Sequence, residues 1–203
     1  MVWNFLPYLK EAIGQDFLTS LIKMTNNKHF RMTKKYLTLI VIILGFQSCQ
    51  ITNNSELFTI YLVRHSEKDV TSGNYSDPAL TQCGEQRSES LSRFLKDVPL
   101  DVIYSTDYSR TKKTALPTAS SKGLEVLEYK EEELEDFSKL LIDAKQDALV
   151  VGHSHTTGVL AGLLVGKEIG EFDLDIYDRV YQVVIYKNKG RLHLLHTAFD
   201  CND

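Results

Sequence analysis

Apolar positions along the chain fall in short blocks, and the spacing within the blocks switches between two periods. "LFTIYLV" (57–63) is almost uninterrupted by polar residues, as in a strand covered on both faces. "LTQCGEQRSESLSRFLKD" (80–97) sets Leu80, Leu91, Phe94 and Leu95 at roughly helical spacing behind Thr81, a suitable N-cap. "LDVIYST" reads as a second strand, and "SRTKKTALPTAS" as a helix that Pro117 limits or kinks. "LEVLEY" predicts a third strand, and "EEELEDFSKLLIDAK" an amphipathic helix with acids in its first turn. "DALVVGHS" predicts a fourth strand and "HTTGVLAGLLVG" a small-residue helix. "RVYQVVIYK" and "GRLHLLHTA" predict a hairpin turning around Asn188-Lys189-Gly190. Strands alternating with helices predict a three-layer α/β/α sandwich with a mostly parallel central sheet.

The segment before this alternation has a different character. "MTKKYLTLIVIILGFQSCQ", from Met32, sets two lysines ahead of about eleven mostly apolar residues, then small or polar residues and Cys49. A basic start and a short apolar run mark a secretory signal, and the run is short for a membrane span. The cysteine after Phe46-Gln47-Ser48 resembles a bacterial lipobox, with Phe46 where Leu is usual and Gln47 where a small residue is usual. The expected division is an upstream extension at 1–31, a lipoprotein-like signal at 32–48, a tether at 49–56 anchored by lipid on Cys49, and a domain at 57–203. Translation is expected to start at Met32, and the product to be exported and anchored in a bacterial cell envelope.

The remaining composition narrows the chemistry. The 203 residues are 43% hydrophobic and 25% charged, enough for a core that needs no metal or disulfide. A net charge of −4 gives no general attraction to nucleic acid, so an anionic ligand requires a local cluster of cations. Cys49, Cys83 and Cys201 form no CxxC pair and no metal-ligand spacing with histidine, so no metal site is expected. Cys83 and Cys201 can pair in an exported protein, but sequence does not bring them together.

In open α/β sheets ligands bind beyond the carboxyl ends of the strands. Three strands here end in polar groups: Arg64-His65-Ser66, "STDYSRT" with Arg110, and Gly152-His153-Ser154-His155 before a helix start. Guanidinium forks and a helix N-terminus suit phosphate oxygens, and a histidine nitrogen can attack phosphorus.

These residues resemble the histidine phosphatase superfamily, which includes the cofactor-dependent phosphoglycerate mutases. Arg64-His65-Ser66-Glu67 resembles its Arg-His-Gly-Glu motif, with Ser where Gly is commonest. "DPALTQCGEQRSESL" is similar to the stretch opening its first helix, "YSTDYSRTKKTA" to its second-arginine region, and "VVGHSHTTGVLAGLL" to its second-histidine turn. The resemblance covers nearly all of 57–200 and implies a phosphoglycerate mutase-like fold. It also implies that His65 is the nucleophile, forming a phosphohistidine, while Arg64, Arg110 and His153 hold the phosphoryl group, with no metal or cofactor. Ser66 and Ser154, beside the two histidines, are expected to bind substrate.

Many members carry a glutamate acid after the third strand. Here Glu128, Glu131, Glu132 and Glu133 all stand in that region, and the tryptophan-containing motif that often marks the acid is absent, so no acid is assigned. His155 either lines the pocket or faces solvent. Glu67 and Lys68 either contact substrate or form a solvated rim. His193 and His196 read as structural, and Tyr177-Asp178-Arg179 as support.

The leading expectation is a membrane-anchored phosphatase for small phosphomonoesters or a phosphorylated side chain. A phosphoglycerate-type mutase is a rival, although the chain lacks the long insertions that help enclose phosphoglycerate. A non-catalytic phosphate-binding lipoprotein is another.

Overall fold

A computed structural model describes residues 56–71 and 73–201. The signal, the Cys49 anchor and nearly all of the tether fall outside the described residues. Among the described residues, no helix is long and apolar enough to cross a membrane.

In chain order the elements are β1 (Leu57–Arg64), α1 (Gln82–Phe94), β2 (Val102–Ser105), α2 (Ser109–Lys122), β3 (Val126–Glu128), α3 (Leu134–Ala144), β4 (Ala148–Gly152), α4 (Thr157–Val165), β5 (Arg179–Tyr186) and β6 (Lys189–His196). The six strands form one sheet in the order β3-β2-β4-β1-β5-β6. β1, β2, β3 and β4 run parallel, while β5 and β6 are antiparallel additions.

Alternation along β1 builds two cores. Phe58, Ile60 and Leu62 pack with Phe137 and Leu141 of α3 and with Leu160 and Leu164 of α4. Tyr61 and Val63 face the other way, toward Leu91 of α1, Leu95 just after it, and Ala115 and Ala119 of α2. The sheet is therefore covered on both faces, which explains why β1 and β4 read as unbroken apolar runs.

Several local expectations change. Pro117 does not end its helix; α2 runs through it to Lys122, and left-handed Gly123 closes it. An interior proline costs about 3 kcal/mol, but Thr114, Ala115, Thr118 and Ala119 are all buried on either side of it and hold the helix in place. The acids Glu131–Glu133 are not a first helical turn, because α3 begins at Leu134.

The hairpin turns at Lys187-Asn188, both left-handed at φ 48° and 59°, rather than around Gly190. This two-residue turn matches the right-handed twist of its strands. Gly190 lies within β6 opposite Ile185. A Cβ there would stand 2.5 Å from the Leu164 carbonyl oxygen, so close approach to the end of α4 requires the glycine.

Cys83, in the first turn of α1, is bonded to Cys201 as a disulfide, with Cα atoms 5.5 Å apart. Neighbouring Arg87 grips the Glu67 carboxylate at 2.8 and 3.0 Å and donates to the Phe199 carbonyl at 3.1 Å. The segment around 199–201 is thus tied to the chain just after His65.

Candidate active site

Parallel strands deliver their carboxyl ends to one edge, and β1, β2 and β4 lie side by side. His65 leaves β1 with its N–H donated to the Gly152 carbonyl at 2.9 Å, locking the ends of β1 and β4 together. Its ring is 5.4 Å from that of His153, edge to face. The two imidazoles are only 3% and 4% exposed.

Hydrogen bonds fix the tautomer of each ring. His65 Nδ1 lies 2.7 Å from the Ser66 carbonyl oxygen. A carbonyl only accepts, so Nδ1 carries the proton and Nε2 presents a free lone pair. His153 Nε2 lies 3.0 Å from Thr106 Oγ1. The Thr111 hydroxyl donates to the carbonyls of Thr106 and Tyr108. Thr106 must therefore donate to Thr111, at 3.1 Å, and accept from His153 Nε2–H.

Burial, above all, pushes both histidines down to about 3, with Arg110 and Arg64 reinforcing the shift. Both rings are neutral at physiological pH.

The arginines surround this pair. The Arg64 guanidinium stacks 4.1 Å from the Tyr177 ring and donates to the carbonyls of Leu174 at 2.5 Å and Ile176 at 3.1 Å. Tyr177 in turn lies 6.2 Å from His65, ring to ring. Arg110 stacks 4.2 Å from Tyr108, whose ring meets His153 edge-on at 5.1 Å. The Nε groups of both arginines are buried and have no acceptor among the described residues. A buried unpaired donor costs about 1–3 kcal/mol, so an anion entering here would find donors awaiting it. Burial and the two arginines also lower Lys68, placing a further cation near the cluster.

Among the four glutamates, the structure brings one to the histidines. Glu131 accepts the Tyr108 hydroxyl at 3.1 Å on Oε1, and its Oε2 lies 3.1 Å from His153 Nε2. Glu128 instead pairs with Lys112 and Glu133 with Lys130, while Glu132 is exposed. His155 stacks on His153 with centroids 5.3 Å apart, and its Nε2 is 3.5 Å from Glu131 Oε2.

Both serines adjoin the histidines and are buried. Ser66 donates its N–H to Thr114 at 2.9 Å, and its hydroxyl lies 3.1 Å from that of Ser88. Both groups fasten the end of β1 to α1 and α2. Ser154 is buried in the turn after β4.

Sequence reasoning passed over Asp77 and Tyr108. Asp77 accepts from Arg110 at 3.2 Å and from the Ser109 N–H at 2.9 and 3.1 Å. Its place in "DPALT" was the available signal. A separate groove of about 520 Å³ between α1 and α2, lined by Gln86, Glu89, Lys113 and Leu116, includes none of these residues.

The fold and cluster define an α/β domain with two buried histidines and two arginines at the carboxyl edge of its parallel strands. Residues 60–140 match the histidine phosphatase superfamily (branch 1); the stretch includes His65, Arg110 and Glu131 and stops short of His153. Phosphoserine phosphatase 1 of Hydrogenobacter thermophilus is 40% identical over 72 residues, 34% of this chain and 34% of that protein, so the likeness spans about a third of the relative. Among solved structures, the protein histidine phosphatase SixA complexed with tungstate aligns with TM-score 0.59 at 16% identity, over 71% of this chain and 99% of that one. The alpha-ribazole phosphatase of Shigella flexneri gives 0.58 at 17%, over 68% and 96%. A phosphoglycerate mutase of Bacillus anthracis gives 0.54 at 14%, over 68% and 92%. The structural likenesses are of fold. The family match covers less than half of the chain.

Proposed function

We propose that the domain is a phosphatase that hydrolyses small phosphomonoesters, or a phosphorylated side chain, through a phosphohistidine on His65. The observation that carries this reading is the bare, neutral Nε2 of His65, held by the Nδ1 bond to Ser66 beside two arginines with unsatisfied donors. Nε2 attacks phosphorus as the bond to the leaving oxygen breaks. Arg64 and Arg110 bind the equatorial oxygens, where charge is largest in the transition state, and His153 joins them when its Nε2–H turns from Thr106 to the incoming phosphoryl group. Glu131 gives a proton to the leaving oxygen. It then takes one from the water that attacks the phosphohistidine, and the N–P electron pair returns to Nε2. The arginines supply the positive charge, so no metal is assigned a role.

Turnover of para-nitrophenyl phosphate by the wild type, with loss of at least a thousandfold in His65→Ala, is expected. An acid-labile, base-stable phosphoryl group should be trapped on His65. Turnover that survives the substitution rejects the mechanism.

The reading includes export and a lipid on Cys49. The signal-like pattern at 32–48 supports it, and so does the Cys83–Cys201 disulfide, since disulfides persist in oxidising compartments. Intact mass of the native product should show a diacylated Cys49 at its start; an unprocessed chain overturns the anchor.

A further inference from the structure

Glu131 Oε2 is buried yet has no hydrogen-bond partner among the described residues. The nearest imidazole does not satisfy it. His153 Nε2 is 3.1 Å away, but its proton is committed to Thr106 by the hydroxyl chain that ends on backbone carbonyls. Tyr108 is spent on the other oxygen, Oε1. His155 also stands beside Oε2, with Nε2 at 3.5 Å and a side chain 51% exposed. Its ring lies nearly parallel to His153, at 8°, and both rings set Nε2 within 3.5 Å of the same carboxylate oxygen. One carboxylate oxygen sealed from water thus adjoins one imidazole open to it.

We propose that His155 is a positioning residue that shares a single proton with Glu131 Oε2 and carries that proton between the carboxyl group and solvent. The proposal rests on the phosphatase reading above for its catalytic consequence, while the pairing itself does not. An isolated glutamate is ionised at neutral pH and has no proton to give. A histidine titrates near neutrality, and an imidazolium beside the carboxylate can hand its proton across. In the first half-reaction Oε2–H passes its proton to the leaving oxygen as the O–P bond breaks and the Nε2–P bond forms at His65. In the second, the carboxylate takes a proton from water as the new O–P bond forms and Nε2–P breaks. Whenever resting Glu131 is ionised, protonated His155 recharges it and is itself reprotonated by solvent.

The titratable groups facing this pair come from three places. Tyr108 precedes α2, Tyr129 follows β3, and His153 shares the turn after β4. Arg110 and Lys68 act on the same turn through His153.

Two measurements test the proposal. The first is the 15N resonance of His155 Nε2 by NMR in wild type and Glu131→Gln. It should move when the carboxylate is removed while that of Nδ1 stays; an unchanged Nε2 resonance overturns the pairing. The second compares His155→Gln with wild type on glycerol phosphate, whose alkoxide needs a proton to leave, and para-nitrophenyl phosphate, whose phenolate does not. The ratio of kcat/KM on the first to the second should drop about tenfold or more, and the alkaline limb of the glycerol phosphate profile should move to lower pH. Equal losses on both substrates with the limb in place would mean a structural role and would overturn the proposal. Loss of the His65 phosphoryl trap with the NMR coupling intact would reject the phosphatase reading and leave the pairing standing.

Discussion

Asp77 receives the Arg110 guanidinium at 3.2 Å while the same carboxylate accepts the Ser109 N–H at 2.9 Å. A loop residue ahead of α1 therefore aims a residue at the start of α2, and the fixed Ser109 contact keeps the carboxylate from following Arg110 outward. Truncating it frees a long side chain whose placement the proposed transfer step requires. Asp77→Ala is expected to lower kcat/KM on para-nitrophenyl phosphate about tenfold, or about 1.4 kcal/mol of transition-state binding. Steady-state kinetics check this, and an unchanged kcat/KM contradicts it.

His65 and His153 give the fold a particular acid sensitivity. Both are held near 3 when folded, against about 6.5 in an open chain, with burial as the main cause. The unfolded state binds two protons that the folded state refuses. Their contribution is therefore fully present above about pH 6.5 and is lost as pH falls from there toward 3. The loss is up to roughly 1.4 kcal/mol per pH unit for each ring. Thermal unfolding between pH 7 and pH 4 should show a steeper decline for wild type than for the His65→Gln/His153→Gln double variant. Parallel declines would show that the rings do not carry this term.

Gly84 reverses the usual rule for a helical glycine. Elsewhere Gly→Ala inside a helix stabilises by about 1 kcal/mol. Here the new Cβ would stand 2.2 Å from the Glu67 carbonyl oxygen and 3.0 Å from its nitrogen, both backbone atoms that cannot swing away. Gly84→Ala should lower stability by about 2 kcal/mol net, an overpacking cost, and urea denaturation measures it. A stabilised variant would mean that α1 does not pack this closely on Glu67.

Cys83 and Cys201 are separated by 118 positions. Closing so long a loop restricts the unfolded chain, by about 5 kcal/mol in the entropic picture. At 2–4 °C per kcal/mol, reduction or the double Cys→Ser variant should lower Tm by about 15 °C. A Tm indifferent to reductant contradicts the disulfide's role.

Much of this was legible in the sequence. Strands buried on both faces leave no polar residues in their interiors, so Arg64, His65 and His153 stand out where β1 and β4 end. Thr81 was visible as a cap because its hydroxyl acts locally, on the Gly84 N–H at 3.0 Å. What was not legible depends on contacts between distant segments. Four neighbouring glutamates differ only in what tertiary packing sets beside them, and Tyr108 and His153 single out Glu131. Helix packing overrides Pro117. Gly190 looked like a turn residue, but its small size serves the approach of Leu164 across the structure. No local pattern marks the partner of Cys83.

The position of β1 in the sheet also governs when the site can come into being. β1 is inner, flanked by β4 and β5, and its first tie to the β4 side, from Thr59 to Asp147, spans 88 positions. Chain closure over such distances is slow and offers little reward until both ends meet. The acceptor for the His65 N–H, the Gly152 carbonyl, arrives only with β4. On the mechanism proposed above, a partly folded chain has not yet set His65 beside His153, and the first burst of phosphoryl chemistry would mark the moment at which the whole sheet has closed.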